Sequence, residues 1–419
     1  MLMKRKYSQK NLYICKVLFT TMPNISKSAG SIPASAIRML TPFADQAKAE
    51  GVKVYHLNIG APDIESPASA VKAAKEFSFG HLPYSNSAGS AELRQKMLEK
   101  YYNPLGISGL DIDDIIVTTA GSEALSFIFH AAFDPGDELL VLEPYYCNYN
   151  TLALMCGIKV VAVHTDIRHN FDLPSAEELE AAISPRTKGI IICNPSNPTG
   201  KLLTKKDLLA IADICRRHSM FLISDEAYRE FCYTEEPYFS ALQIPGLSEN
   251  VIVVDSASKR YNLCGARIGC IISRNKELMD LMTRFAQARL CPPVLGQQAL
   301  LGALDADGEY FSAVREEYIA RRNFTIEALN KIEGVFSPMP QGAFYTVAEL
   351  PVQDATAFCK WLLTDYRSPE GETLMITPAE SFYAAPGIGR NQVRIAYVLE
   401  VPALRRAMAI LENALKSYK

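Results

Sequence analysis

The sequence has no run of eighteen consecutive apolar residues, no pair of cysteines at metal-ligand spacing, no internal repeat and no low-complexity tract. The first absence gives no transmembrane helix to expect. A formal net charge of −3 leaves no basic excess, which argues against nucleic acid as the main partner. The ten cysteines are scattered, and Cys193, Cys215 and Cys270 fall inside apolar runs, where a reduced thiol packs as a small hydrophobe. That usage suits a reducing cytoplasm and offers no metal site. What remains is a chain of 419 residues, 48% hydrophobic and 21% charged, which is globular and long enough for two cores.

Between Asp113 and Ser273 apolar runs at 115–118, 138–142, 159–163, 189–193, 220–223, 251–254 and 267–272 alternate with helical patterns. Such alternation predicts βαβ units and a mainly parallel sheet covered by helices on both faces, an α/β fold. After Pro292-Pro293 the pattern turns to helices at 295–305 and 310–331, then to strand-like runs at 342–347 and 392–397. These describe a smaller α+β domain. The expected organisation is a disordered extension (1–21), an N-terminal arm with part of the small domain (22–65), a large domain (66–300) and a small C-terminal domain (301–419). Lys4-Arg-Lys6 and the apolar residues after it imitate a signal peptide, but Lys16 interrupts the apolar stretch and no small-residue cleavage site comes after it.

The chemistry gathers in three segments. Ser256-Ala-Ser258-Lys259 is followed eight positions later by Arg267. A lysine amine that attacks a carbonyl must escape full solvation, and a fixed cation with hydroxyls beside it suggests a bound anion, together a phosphate-bearing aldehyde. Asn194-Pro-Ser-Asn197-Pro198 and Asp225-Glu-Ala-Tyr228 each follow a strand-like run, at the sheet edge where open α/β sheets bind ligands. Asp225 there is placed to pair with a cationic ring nitrogen, while Asn197 and Tyr228 can reach a phenolate oxygen. Taken singly, Asp225 reads as a helix cap and Asn197 as a turn former. In this order and together they read as a site.

From about Ser35 to Ala407 the chain resembles the class I/II aminotransferases, fold-type I enzymes that use pyridoxal 5′-phosphate (PLP). The resemblance implies that Lys259 carries the cofactor as an aldimine, that Asp225 pairs with the ring nitrogen, that Asn197 and Tyr228 bond the phenolic oxygen, and that Ser256, Ser258 and Arg267 hold the phosphate. It adds Gly121 and Ser122 at a helix N-terminus, where free N–H groups attract phosphate, and Tyr146 stacked on the ring. Tyr84 would reach the phosphate of a neighbouring subunit, implying a homodimer. Arg394 would grip the substrate α-carboxylate with its planar fork, and the backbone of Gly60 would approach the same group. The Glu143-Pro144 and Asn197-Pro198 bonds are expected cis. Met22-Pro-Asn-Ile-Ser resembles the place where family members begin.

The expected reaction is ping-pong transfer of an amino group between an L-amino acid and a 2-oxoacid. A β-eliminating carbon–sulfur lyase or an aminocyclopropane-carboxylate synthase uses the same constellation and is the alternative. A transcriptional regulator is set aside, because about thirty residues precede the first matching segment, too few for a helix-turn-helix module. Aspartate with 2-oxoglutarate is the favoured substrate pair. Ser122 replaces a lysine of some aspartate-specific relatives, however, and Ala286 stands where others supply an arginine. Arg289, nearby, could serve an acidic side chain, but it reads rather as a solvated arginine at a helix end.

Overall fold

The computed structural model describes residues 25–35 and 37–418, so the extension at 1–21 lies outside the described residues. Before Ala34, Lys27–Gly30 form one short helix. The remaining elements belong to the unit beginning at Ala34. Its strands are β1 (Lys53–His56), β2 (Ile115–Thr118), β3 (Glu138–Glu143), β4 (Lys159–His164), β5 (Thr187–Cys193), β6 (Phe221–Asp225), β7 (Val251–Ser256), β8 (Gly269–Ile272), β9 (Tyr345–Glu349), β10 (Glu372–Met375), β11 (Thr377–Pro378) and β12 (Gln392–Ala396).

Strands β2 to β8 form one sheet in the order β2-β8-β7-β6-β5-β3-β4. Six of them, β2 to β7, point the same way, and β8 alone runs antiparallel, to its neighbours β7 and β2. All seven expected runs become strands. The last opens at Gly269 rather than Arg267, because Arg267 adopts φ +57° and leaves the extended region before pairing begins. At the other end β6 continues through Asp225 and β7 through Ser256, so these residues close their strands rather than follow them.

A sheet buried on both faces needs apolar side chains at successive positions, and β7 shows it. Val251 and Val253 enter one core cluster with Leu222, Ile192 and Ile272; Ile252 and Val254 enter another with Ile191, Ile223 and Ile271. Helix Lys205–Arg217 covers the first of these through Leu208, Ile211, Ala212 and Cys215, a helical stripe. It starts at a capping box in which the Thr204 amide donates to Asp207 Oδ2 at 2.8 Å and the Asp207 amide to Thr204 Oγ1 at 3.3 Å.

A separate core gathers Tyr55, Leu57, Phe344, Ala348, Leu374, Val393 and Ile395 with the helices Gly308–Lys331, Ala355–Thr364 and Val401–Ser417. Here β1 pairs in parallel with β10, and β12 lies between β11 and β9, antiparallel to both. Helix Val294–Ala303 comes after the proline pair yet packs with the large sheet's core through Leu300, Leu301 and Ala303. Gly302 explains the closeness, since a Cβ there would meet Ala73 Cβ and Ser69 O, both at 2.5 Å, on helix Ala68–Glu76. Among the described residues no helix is long and apolar enough to cross a membrane.

Gly269 has a similar role beneath helix Ala120–Ala132. A Cβ at Gly269 would stand 2.6 Å from the Ala120 carbonyl carbon and 2.7 Å from the Gly121 nitrogen, backbone atoms that cannot swing aside. Gly269→Ala is therefore expected to cost about 1–3 kcal/mol, the range for overpacking a tight interior. A lowered urea midpoint at unchanged m-value would show it, and an unchanged midpoint would contradict it.

Candidate active site

The carboxyl ends of the parallel strands open into a cavity of about 360 Å³. Asn197 enters it from the turn after β5, Asp225 from the end of β6 with Tyr228 just beyond, and Ser256, Ser258 and Lys259 from the end of β7. Gly121, Ser122 and Tyr146 come from the β2 and β3 ends, Arg267 from the turn before β8, and Gly60 and Arg394 from the second core's side. Every site residue expected from the sequence is present except Tyr84, which is 75% exposed and lies outside this cavity. A larger cavity, about 760 Å³, lies between helices Ala68–Glu76 and Gly308–Lys331, but its lining holds no cysteine, histidine or arginine and none of the expected residues.

Lys259 sits on the single turn Ala257–Arg260, capped by Ser256, whose hydroxyl accepts from the Ser258 amide at 3.2 Å. Its Nζ donates to the Gly60 carbonyl at 2.5 Å and lies 3.6 Å from Cys264 Sγ. Only glycine lets that carbonyl approach, since a Cβ at Gly60 would lie 1.7 Å from the Tyr345 hydroxyl oxygen. Tyr345 in turn shares a hydrogen bond of 3.0 Å with Tyr228.

Asp225 accepts from the Tyr149 hydroxyl at 2.7 Å and from the Ala227 amide at 3.2 Å. Burial raises its pKa above the usual carboxylate value, outweighing the opposite pull of those two donors. Burial and the Asp225 carboxylate likewise push Tyr149 well up, so it remains a donor. The Tyr146 ring meets Tyr149 edge-on at 5.5 Å, and its hydroxyl accepts from Asn148 Nδ2 at 2.8 Å.

Arg394 is 1% exposed. It donates to Asn197 Oδ1 at 3.0 Å and to the Asn58 carbonyl at 2.5 Å, with the Tyr345 and Phe382 rings 4.7 and 5.1 Å from the guanidinium. Its Nε has no partner. Among the described residues no carboxylate pairs with it, nor with Arg38, Lys259 or Arg267, the other cations lining the cavity. Against these four stands one carboxylate, Asp225. The lining therefore carries an excess of positive charge, with Arg394 buried and Arg38 and Arg267 open to solvent.

Arg289 corrects an expectation. Rather than being solvated, it is largely covered, with Nε 3.3 Å from Glu123 Oε2 and Nη2 donating to the Ser87 and Val117 carbonyls. The close packing of loop and helix start draws the side chain inward, and it does not line the cavity. The expected cis bonds are present at Glu143-Pro144 and Asn197-Pro198, with a third at Asn194-Pro195. Four site residues escaped the sequence reading: Tyr149, Cys264, Tyr345 and Arg38. Tyr149 lies about one helical turn after Tyr146, and Cys264 and Tyr345 lie inside segments already singled out, whereas nothing marked Arg38.

The sequence profile of the aminotransferase class I and II family matches residues 52–411. The chain belongs to that family. An aspartate/prephenate aminotransferase of Thermus thermophilus is 31% identical over 332 residues, 78% of this chain and 85% of that one. An aspartate aminotransferase of Rhizobium meliloti is 28% identical over 92% of this chain and 95% of its own. Among solved structures, the Thermus thermophilus aspartate aminotransferase with maleate superposes with a TM-score of 0.85 at 30% identity, covering 94% of this chain and all of that one. An alanine aminotransferase from Pyrococcus furiosus gives 0.84 at 31% identity, over 94% of this chain and 100% of that one.

The buried Asp225 of this aminotransferase has a thermodynamic signature. A carboxylate whose folded-state pKa is raised destabilises the fold when ionised; the cost is full above the folded pKa and is lost below the unfolded one. Without cofactor, Asp225→Asn is therefore expected to be at least as stable as the parent at about pH 8, with the difference shrinking as pH falls towards about 4. Thermal unfolding at the two pH values measures this. A variant less stable at both would show that the ionised carboxylate stabilises the fold.

Proposed function

We propose that this aminotransferase moves an amino group between an L-amino acid and a 2-oxoacid, with pyridoxal phosphate as cofactor. The observation that carries this reading is the set of four unpaired cations, one a lysine, around a single buried carboxylate. When bound, pyridoxal phosphate supplies an aldehyde for amines and a protonated ring that acidifies the substrate Cα–H. Lys259 is the amine that would hold it, and Asp225, a buried carboxylate whose charge a cationic partner would favour, fits the ring nitrogen. Arg267, Ser256, Ser258 and the N-terminus of helix Ala120–Ala132 at Gly121 and Ser122 supply positive charge and donors for the phosphate. Asn197 and Tyr228 suit the phenolic oxygen, and Tyr146 offers its ring for stacking.

Arg394, buried and without a carboxylate, binds the substrate α-carboxylate, with Asn197 and the Gly60 backbone beside it. With the cofactor bound, Lys259 would be the base that takes the proton from the substrate Cα and passes it on within the same half-reaction, and in the reverse half-reaction it would deliver a proton to Cα. The two half-reactions alternate, so donor and acceptor use one pocket. Aspartate with 2-oxoglutarate is our favoured pair, supported by several relatives named as aspartate aminotransferases. Tyr84, exposed and outside its own chain's cavity, suits donation to the site of a second copy in a C2 dimer. The free thiols among the described residues support a reducing compartment, the cytoplasm.

A panel of amino donors with 2-oxoglutarate tests the reading. Lys259→Ala should abolish transfer while the protein still folds and retains cofactor noncovalently. Arg394→Leu should raise KM for donor and acceptor alike and lower both kcat/KM values, because loss of a desolvated charge-assisted contact costs roughly 2–5 kcal/mol. Near-normal turnover by Lys259→Ala would refute the mechanism. Release of pyruvate and ammonia without an added oxoacid would identify a lyase instead.

A further inference from the structure

The chemistry proposed above employs three of the four cations in the cavity: Lys259 as the amine, Arg267 beside the phosphate and Arg394 on the α-carboxylate. Arg38 is left over. It sits in the turn that leads into helix Thr41–Ala49, its amide donating to the Ser35 carbonyl at 3.0 Å and its own carbonyl accepting from Thr41 at 3.0 Å. Among the described residues its side chain has no hydrogen-bond or ion-pair partner.

An exposed arginine without a partner is ordinarily a solvated surface group. Two features set this one apart. It lines the same cavity as Arg394, and its backbone is tied to the residue that holds Arg394. Asn58 accepts from Arg394 Nη2 at 2.5 Å through its carbonyl and donates through Nδ2 to the Ile37 carbonyl at 3.4 Å. Ile37 also packs on the cluster that contains Phe382, the ring beneath the Arg394 guanidinium. Arg38 is thus carried next to the α-carboxylate subsite by a defined set of contacts.

We propose that Arg38 receives the side-chain carboxylate of dicarboxylic substrates, such as aspartate or glutamate and their oxoacids, while Arg394 holds the α-carboxylate. This rests on the function proposed above and deepens it. The charge balance supports the assignment. A neutral side chain leaves Arg38 solvated, a basic one meets like charge with only Asp225 to offset it, and an acidic one gains a charge-assisted contact. Arg289 cannot take this place within the chain, being engaged by Glu123 and absent from the cavity lining.

The test compares Arg38→Gln and Arg38→Lys with the parent holoenzyme, using aspartate against alanine as donors and 2-oxoglutarate against pyruvate as acceptors. For Arg38→Gln the ratio of kcat/KM for the dicarboxylic over the monocarboxylic substrate should fall about 10–100-fold, the factor for one lost hydrogen-bonded charge. Arg38→Lys should recover part of it. Calorimetric binding of maleate, a dicarboxylate that cannot turn over, should weaken by a similar factor in the glutamine variant. Unchanged ratios with unchanged maleate binding would overturn the proposal, as would equal losses for both substrate classes, which would make Arg38 a positioning residue. If the parent transferred no amino group from any donor, the proposed function would fail, while maleate binding would still decide the role of Arg38.

Discussion

The position of Lys259 depends on a buried ionic cluster that does not itself line the cavity. Asp255 and Arg260 flank the turn that carries Lys259, and Arg260 Nη2 donates to both Asp255 oxygens at 2.6 and 2.8 Å. Tyr102 donates to the same carboxylate at 2.9 Å, and Arg229 lies 3.4 Å away. Both guanidiniums stack on the Tyr101 ring, at 3.4 and 3.7 Å. Removing one partner from a buried set of this kind typically costs about 3–5 kcal/mol, because the other charge is left uncompensated. The pair therefore closes a short loop whose ends cannot drift, and Lys259 is aimed by residues one and four positions from it.

Asp225 and Asp255 end neighbouring strands, both are buried, and they behave oppositely. Burial pushes each pKa upward; at Asp255 Arg260 and Arg229 overcome that push and leave it below the ordinary value, while at Asp225 burial prevails. One carboxylate has its cations built in. The other has a tyrosine hydroxyl, a backbone amide and the Lys259 ammonium in the same cavity, and together these do not offset its burial. This contrast separates a carboxylate neutralised within the chain from one that is not, although the sequence shows each simply as an aspartate at the end of an apolar run.

The large sheet and most of the site were legible because they depend on local pattern. Continuous apolar runs mark strands buried on both faces, and the polar residues that close them must face the ligand edge. What escaped depends on contacts between distant segments. Tyr149 matters only because its hydroxyl reaches Asp225, and Tyr345 only because Gly60 passes beneath its hydroxyl. The sequence pattern groups helix Val294–Ala303 with the helices C-terminal to it, since a proline pair breaks the chain visibly while the fit of Gly302 against Ser69 and Ala73 leaves no local trace. Arg289 looked solvated for the same reason. Its partner Glu123 lies on another helix, and helical spacing within its own segment carries no sign of it.

The two cores contribute different halves of the site. The ends of the large sheet's strands supply Lys259, Asp225 and Asn197, whereas Arg394 on β12, Tyr345 on β9, and Gly60 and Asn58 after β1 come from elements of the second core, into which Tyr228 is also packed. Two contacts at the cavity join them directly, Lys259 to the Gly60 carbonyl and Asn197 to Arg394. Each uses a side chain to which the proposed function also assigns a role. A ligand that draws Lys259 or Arg394 into new bonds must therefore loosen the contacts that fasten one half to the other, and it replaces them only if it reaches both sides at once. An amino acid whose carboxylate rests on the second core and whose amine points at the sheet meets that condition, and a ligand with only one of these groups does not. Under the proposed function the fold thus favours amino acids before any side-chain pocket is consulted.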